Sequence, residues 1–359
     1  MTPLNIAQPA EDLGFRQDAA TWRRVAIIAA LFGAACIFGV LDIMIGSGTL
    51  SLSQVLAALF GPAHADPGAV FIVWSLRMPM TLMAAVTGIG LSLAGLLMQT
   101  ILDNPLAEPF TLGVSSAAGF GAALTLAAGF AVSTLLPGVP PELVISINAF
   151  VFALLAVLLV LGLSQGARNV QIITLLGIAL HFVFSALLSL VQYTASIDQL
   201  QSIVFWLMGS LQRATWLKLT ITGSVVLAVL PVVLFHAWQL TALRSFGEQA
   251  IVFGVRVRRL RALMLVLSAL LAGSVTAVVG IIGFIGLVAP HVARMLTGED
   301  YRFTIASTMA VGALFVTIAS LLSKVILPGA VLPLGMVTSL AGLPFFIFLI
   351  LRKSRGSLR

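Results

Sequence analysis

Polar chemistry in this chain must come from few groups, and the clearest set is a stripe: Thr174, His181, Ser185, Ser189 and Gln192. Their spacings of seven, four, four and three residues align them on one side of an α-helix that is otherwise almost wholly apolar. Such a stripe can be packing glue against a neighbouring helix. A histidine and a glutamine within it favour instead a face that lines a wet pathway. Other familiar chemistry is missing from the sequence. None of the lysines at 218, 324 and 353 follows a glycine, so there is no phosphate-cradling P-loop. The histidines at 64, 181, 236 and 291 are scattered, and neither zinc-protease nor paired-cysteine spacing occurs. Cys36, the single cysteine, lies in an apolar run and reads as a small packing residue. No catalytic residue, metal site or bound cofactor is expected, and energy from ATP would have to arrive through a partner.

The elements that position the stripe are membrane spans. Hydrophobic residues make up 60% of the chain and charged ones 9%, against roughly 25% charged in a soluble domain. The basic residues alternate with apolar runs and form no continuous patch, which argues against nucleic acid as a partner. The run from Ala262 to Ala293 holds 32 residues without a formal charge. That is too long for one crossing of about 20 residues and too short for two with a turn. Gly280, Gly283, Gly286 and Pro290 mark a break and a short second helix. Broken helices expose backbone groups that lipid cannot satisfy, so this one belongs inside a bundle or beside an aqueous cavity.

Spans are predicted near 25–45, 79–101, 110–131, 143–164, 170–193, 216–237, 262–281, 284–297, 303–323 and 333–351. The result is an all-α polytopic membrane protein of about ten helices. Residues 203–211 are too short to cross and read as an interfacial or re-entrant helix. With ten spans, fifteen of the 19 basic residues, Arg168 and Arg244 among them, fall on the cytoplasmic side. Arg77, Arg213, Lys218 and Lys324 fall outside. This asymmetry places both termini in the cytoplasm. The organisation is a cytoplasmic segment 1–21, one transmembrane domain 22–352 with a cytoplasmic segment 244–261, and a cytoplasmic tail 353–359.

Three ordered motifs then carry a resemblance. Arg77-x-Pro79 with GIGLSLAGLLMQ (88–99), NPLAEP (104–109) and LGVSSAAG (112–119) resembles the first signature of the FecCD-type permeases. GIIGFIGLVAPHVAR (280–294) resembles their second signature and LPLGMVTSLAGLPFF (332–346) their third. The family comprises membrane subunits of ABC importers for ferric siderophores, haem and vitamin B12. The resemblance implies a type II importer permease in a bacterial plasma membrane. It would dimerise with a second copy or a related permease, be driven by two ABC ATPase subunits, and receive ligand from an extracytoplasmic binding protein. A ferric siderophore, from the broadest branch of the family, is the expected cargo, with haem or cobalamin as alternatives.

The resemblance also assigns expectations to residues. Asn104 and Leu106 would form a cytoplasmic gate, in a turn that Pro105 and Pro109 fix; a merely structural loop is the alternative. Glu108 reads as a helix-start charge. Gly247 to Gly254, with Glu248 in the first turn of a short helix, would dock on the ATPase, joined by Arg256 and Arg258. These arginines can equally be topogenic charges touching anionic lipid. Arg77 and Lys324, cations at outer helix ends, would meet acidic residues of the binding protein; snorkelling anchors are the alternative. Met80 and Val331 stand where the family often has charge, which lessens that docking surface. The same helix that bears the polar stripe lines the pathway in the family. A gradient-driven transporter using Asp42 or Glu108 as its proton site is the competing class.

Overall fold

A computed structural model describes residues 10–46, 50–63, 65–131, 138–164, 170–327 and 329–356. His64, Arg168 and Arg359 lie outside them, as do the first nine and last three residues of the terminal segments. Each predicted span is a helix: α1 (Ala10–Met44), α4 (Met78–Ile101), α5 (Val114–Ala128), α6 (Val144–Leu163), α7 (Val170–Thr194), α9 (Trp216–Phe235), α11 (Val257–Val279), α12 (Ile285–Thr297), α13 (Tyr301–Val325) and α14 (Leu334–Gly356). Among the described residues seven apolar helices are long enough to cross a membrane, and α5, α12 and the apolar start of α14 are shorter. Four further helices connect them: α2 (Leu52–Phe60), α3 (Pro67–Phe71), α8 (Ile197–Leu207) and α10 (Ala237–Phe246).

Several boundaries differ from the sequence expectation. Helix α1 begins at Ala10, so much of the polar segment 1–21 is helical and continuous with the first span. Helix α14 likewise runs into the tail. The chain before α4 is helical from Pro67, through a π-helical turn at Ile72–Arg77. Pro79 lacks an N–H and crowds the preceding turn; the wider π turn accommodates it without ending the helix. Cys36 is exposed on α1 and packs in no core, because α1 lies mainly against α13 and turns its other side outward.

The core is α4. It packs against α13, α11, α12 and α9, and nearly all of its residues from Thr87 to Ile101 are buried. Glycine makes this possible. Cβ atoms on Gly88 or Gly312 would overlap the opposing backbone, and one on Gly95 would overlap Gly286. Here α4 meets α13 and α12 backbone to backbone, as small residues permit between membrane helices.

Candidate functional site

The predicted break is present and is held by backbone. Gly280 (φ +82°) ends α11, and Phe284 (φ +69°) precedes α12 in a left-handed conformation unusual for a side chain of its size. Gly342 of α14 gives Phe284 room, since a Cβ there would sit 2.5 Å from the Phe284 Cβ. The turn after α8 fills the gap. Ser210 N–H donates to the Val279 carbonyl at 2.7 Å, Leu334 N–H to Gly209 at 2.9 Å and Gly335 N–H to Met208 at 3.1 Å. Three interrupted segments thus satisfy each other's polar backbone, which a break surrounded by lipid could not do. At 11 residues α8 is about 16 Å long, too short to cross, and it returns into α9.

The bundle has two ends. One, called here the basic end, carries the 102–113 loop, α10 and the α12–α13 turn. In that loop Asn104 is spent on the turn itself: its Oδ1 accepts from Leu106 N–H at 3.0 Å. Leu106 projects as an exposed apolar tip. Glu108 is half-buried, and burial pushes its carboxyl up to about 7. It stands at the start of the short 3₁₀ helix Pro109–Leu112, as a helix-start residue should, with its carboxyl partly withdrawn from solvent. Around the loop runs a network that sequence reasoning did not assemble. Arg244 bridges Asp103 at 3.2 Å and Glu299 at 3.1 Å. Arg294 donates to Gln99 Oε1, and Gln99 Nε2 donates to the Gly286 carbonyl at 3.0 Å. Arg261 donates to the Ile101 carbonyl at 3.0 Å and to Glu248 at 2.5 Å. Gln99 and Arg294 both lie in the quoted motifs, which was the available signal.

The 247–254 segment is the short helix expected, in 3₁₀ form. Helix α10 runs up to Phe246, Gly247 takes φ +55°, and residues Gly247–Phe253 form a 3₁₀ helix that Gly254 closes at φ +81°. Ile251, Val252 and Phe253 are exposed, Val252 at 85%. Arg256 and Arg258 are exposed at the start of α11.

The stripe on α7 runs along the margin between covered and open surface. Thr174, His181, Ser185 and Gln192 are half-buried, and Ser189 is exposed with its hydroxyl donated to the Ser185 carbonyl at 3.0 Å. His181 Nδ1 is buried without a hydrogen-bond partner. Beside the stripe Leu175, Phe182, Leu190 and Tyr193 are exposed. The structure does not bring the stripe together with the 102–113 loop residues Asn104 and Leu106 as one cluster; His181 approaches only the loop's end, where its backbone lies against Gly113.

At the opposite end, Arg77 and Lys324 are not free cations. Arg77 is 4% exposed and donates to the Ile43 and Met44 carbonyls at 3.0 and 3.2 Å. Lys324 Nζ pairs with Asp42 Oδ2 at 2.8 Å and donates to the Asp42 carbonyl at 3.0 Å. Asp42 is fully buried and also accepts from Thr81 at 2.5 Å and Ser320 at 2.9 Å. This corrects the expectation of two rim charges. The cations are turned inward because an anion on α1 and the carbonyls at its end are there to receive them.

Comparison with known proteins agrees with this architecture. The FecCD transport family model matches residues 20–352. The molybdate import system permease of Haemophilus influenzae is 33% identical over 91% of this chain and 97% of its own length. The hemin transport system permease of Yersinia pestis is 35% identical over 85% and 90%. A solved metal-chelate type ABC transporter, described in an inward-facing conformation, is 31% identical, with a TM-score of 0.80 over 91% of this chain and 99% of its own. The long ordered motifs, the stitched helix break and a match over nearly the whole chain lead to one conclusion: the chain belongs to the FecCD transport family and is a multi-pass ABC importer permease.

Proposed function

We propose that this permease is the pathway subunit of an ATP-driven importer. It accepts a ferric siderophore, or a related iron, haem or corrinoid chelate, from an extracytoplasmic binding protein and releases it into the cytoplasm by alternating access. The basic end faces the cytoplasm of a bacterial plasma membrane, with both termini there. A second permease copy or a related permease completes the pathway, and two ATPase subunits hydrolyse the ATP. This chain is not an enzyme.

One observation carries the ATP-coupled part: the 3₁₀ turn and the 102–113 loop are mechanically joined. Glu248 of the turn holds Arg261, which holds the Ile101 carbonyl at the end of α4. On the α10 side Arg244 holds Asp103. An ATPase gripping exposed Ile251, Val252 and Phe253 would pull on the loop that bears Leu106. Leu106 is the constricting residue and Asn104 its support. Arg256 and Arg258 flank the ATPase contact, and the α7 stripe lines the pathway between subunits. Relatives named for hemin and molybdate support a metal-bearing cargo.

The test is uptake into proteoliposomes holding this chain, its co-purified ATPase and its binding protein, with iron-loaded siderophores, haemin and cobalamin compared. Accumulation only with ATP and the full set is expected. Accumulation by this chain alone, driven by a proton or sodium gradient, would overturn the reading.

A further inference from the structure

We propose that the recess around Arg213 binds the anionic part of the transported ligand, so that the cargo is a carboxylate- or oxyanion-bearing chelate. This rests on the importer reading. The recess lies at the end opposite the basic one and has a volume of about 460 Å³, the scale of a small-molecule site. Phe205 and Val331 supply apolar wall, while Ser202, Ser210 and Gln212 supply hydroxyl and amide groups. Arg213 supplies the charge.

Arg213 is half-buried. Its guanidinium gives one N–H to the Trp206 carbonyl at 3.4 Å and lies 5.8 Å from the centre of the Trp206 ring. Among the described residues no carboxylate pairs with it. The neighbouring charges do not cancel it. Lys218 is buried, donates to the Arg213 carbonyl at 3.2 Å and is answered by Glu142, whose carboxylate accepts from Thr215 at 3.1 Å. Two cations against one carboxylate leave a positive charge over, and Arg213 is the cation that lines the recess. A partly desolvated guanidinium keeps its charge and favours planar oxyanions that accept two N–H bonds at once.

Its place in the fold gives the site a use. Arg213 follows the turn that Ser210, Gly209 and Met208 stitch to the end of α11 and the start of α14. Val331 and Pro333, on the approach to α14, form the facing wall. An anion bound there touches the elements that converge on the broken helix.

Binding of four probes to the full-length permease in nanodiscs, without ATP or binding protein, tests this. Haemin, ferric citrate and molybdate carry anionic oxygens; a neutral ferric trihydroxamate without carboxylate or phosphate is the uncharged probe. At least one anionic probe should bind the wild type. Arg213→Gln should weaken it about tenfold or more, the loss expected for a charge-assisted hydrogen bond. Arg213→Lys should retain part of the affinity. Val331→Glu, which puts a carboxylate in the same recess, should block the anion without disturbing α8. Binding of the neutral trihydroxamate should be unchanged in all three variants. The proposal is overturned if no anionic probe binds the wild type, or if Arg213→Gln binds as wild type does. It is also overturned if every probe weakens together with thermal stability, which would make Arg213 a cap for α8 only. Because the assay needs no ATP, the importer reading can survive any of these failures.

Discussion

Removing Asp42 should damage this protein more than removing Lys324, and the asymmetry follows from who is left behind. Asp42 is fully buried and answers Lys324, Thr81 and Ser320 at once, with Arg77 as a second buried cation nearby. Asp42→Asn therefore leaves two buried cations facing a neutral amide. Breaking a buried pair by deleting one partner typically costs about 3–5 kcal/mol, and this site should lie at the upper end. Lys324→Met leaves a carboxylate that still holds two hydroxyl donors and the neighbouring arginine charge, so it should lie at the lower end. The double variant removes both members of the pair and should cost less than the two single changes added together. Thermal unfolding of the four purified proteins in one detergent, followed by loss of monodispersity, gives the cycle. Should Lys324→Met unfold like the wild type while losing capture of the binding protein, the inward pairing is wrong and Lys324 is a rim charge after all.

Four other outcomes are expected. Gly88→Ala should separate α4 from α13, because its Cβ would overlap the Gly312 carbonyl; overpacking of this kind costs about 1–3 kcal/mol. Gly223→Ala, with nothing within 4 Å of its Cβ, should be neutral or slightly stabilising in the same melting assay. Glu108, raised from 4.5 to about 7, contributes stability that is fully present below pH 4.5 and is lost as pH rises through about 7. The full span of that shift is worth about 3 kcal/mol. Melting scans from pH 4 to 8 should therefore show a decline that Glu108→Gln flattens, and parallel curves would refute it. Val252→Asp should lower ATP-dependent uptake and co-purification of the ATPase while leaving thermal stability unchanged, since Val252 is almost fully solvent-facing.

Ten spans could be read from the chain because hydropathy is a local property. The break at 280–284 was equally local: an uncharged run of the wrong length, punctuated by glycine. What escaped were pairings between distant residues. Asp42 and Lys324 are 282 positions apart, and charge counting sees one cation at an outer helix end without seeing the anion beside it. Gly88 and Gly312 are unremarkable singly and matter only as a crossing. Helix α2 did carry a local signal that went unused, a capping box in which Ser51 and Gln54 bond reciprocally. Helix α10 was missed because most of it, residues 238–243, lay between the predicted span ending at 237 and the segment beginning at 244. His236 ends α9, and Ala237 opens a separate helix.

The distribution of glycine contacts bears on how such a protein can move. Where α4 meets α13 at Gly88 and Gly312, and α12 at Gly95 and Gly286, the backbones touch. Neither helix can slide along the other without lifting apart and giving up that packing, so α4, α12 and α13 must travel as one body. Helix α7 is the reverse case, with little of its length covered in the isolated chain. Between these extremes lie the residues with positive φ that bound α8, α12 and the 3₁₀ turn: Gly209, Phe284, Gly247 and Gly254. Gly209 sits where α8 is stitched to α11 and α14 by backbone hydrogen bonds, and Phe284 at the break before α12. Gly247 and Gly254 bound a turn tied to α11 through the Arg261–Glu248 pair. Motion that opens a path should therefore rotate about those junctions and leave the α4 crossings intact. A disulfide joining α4 to α13 would then be tolerated in transport, and one pinning α8 to α14 would not.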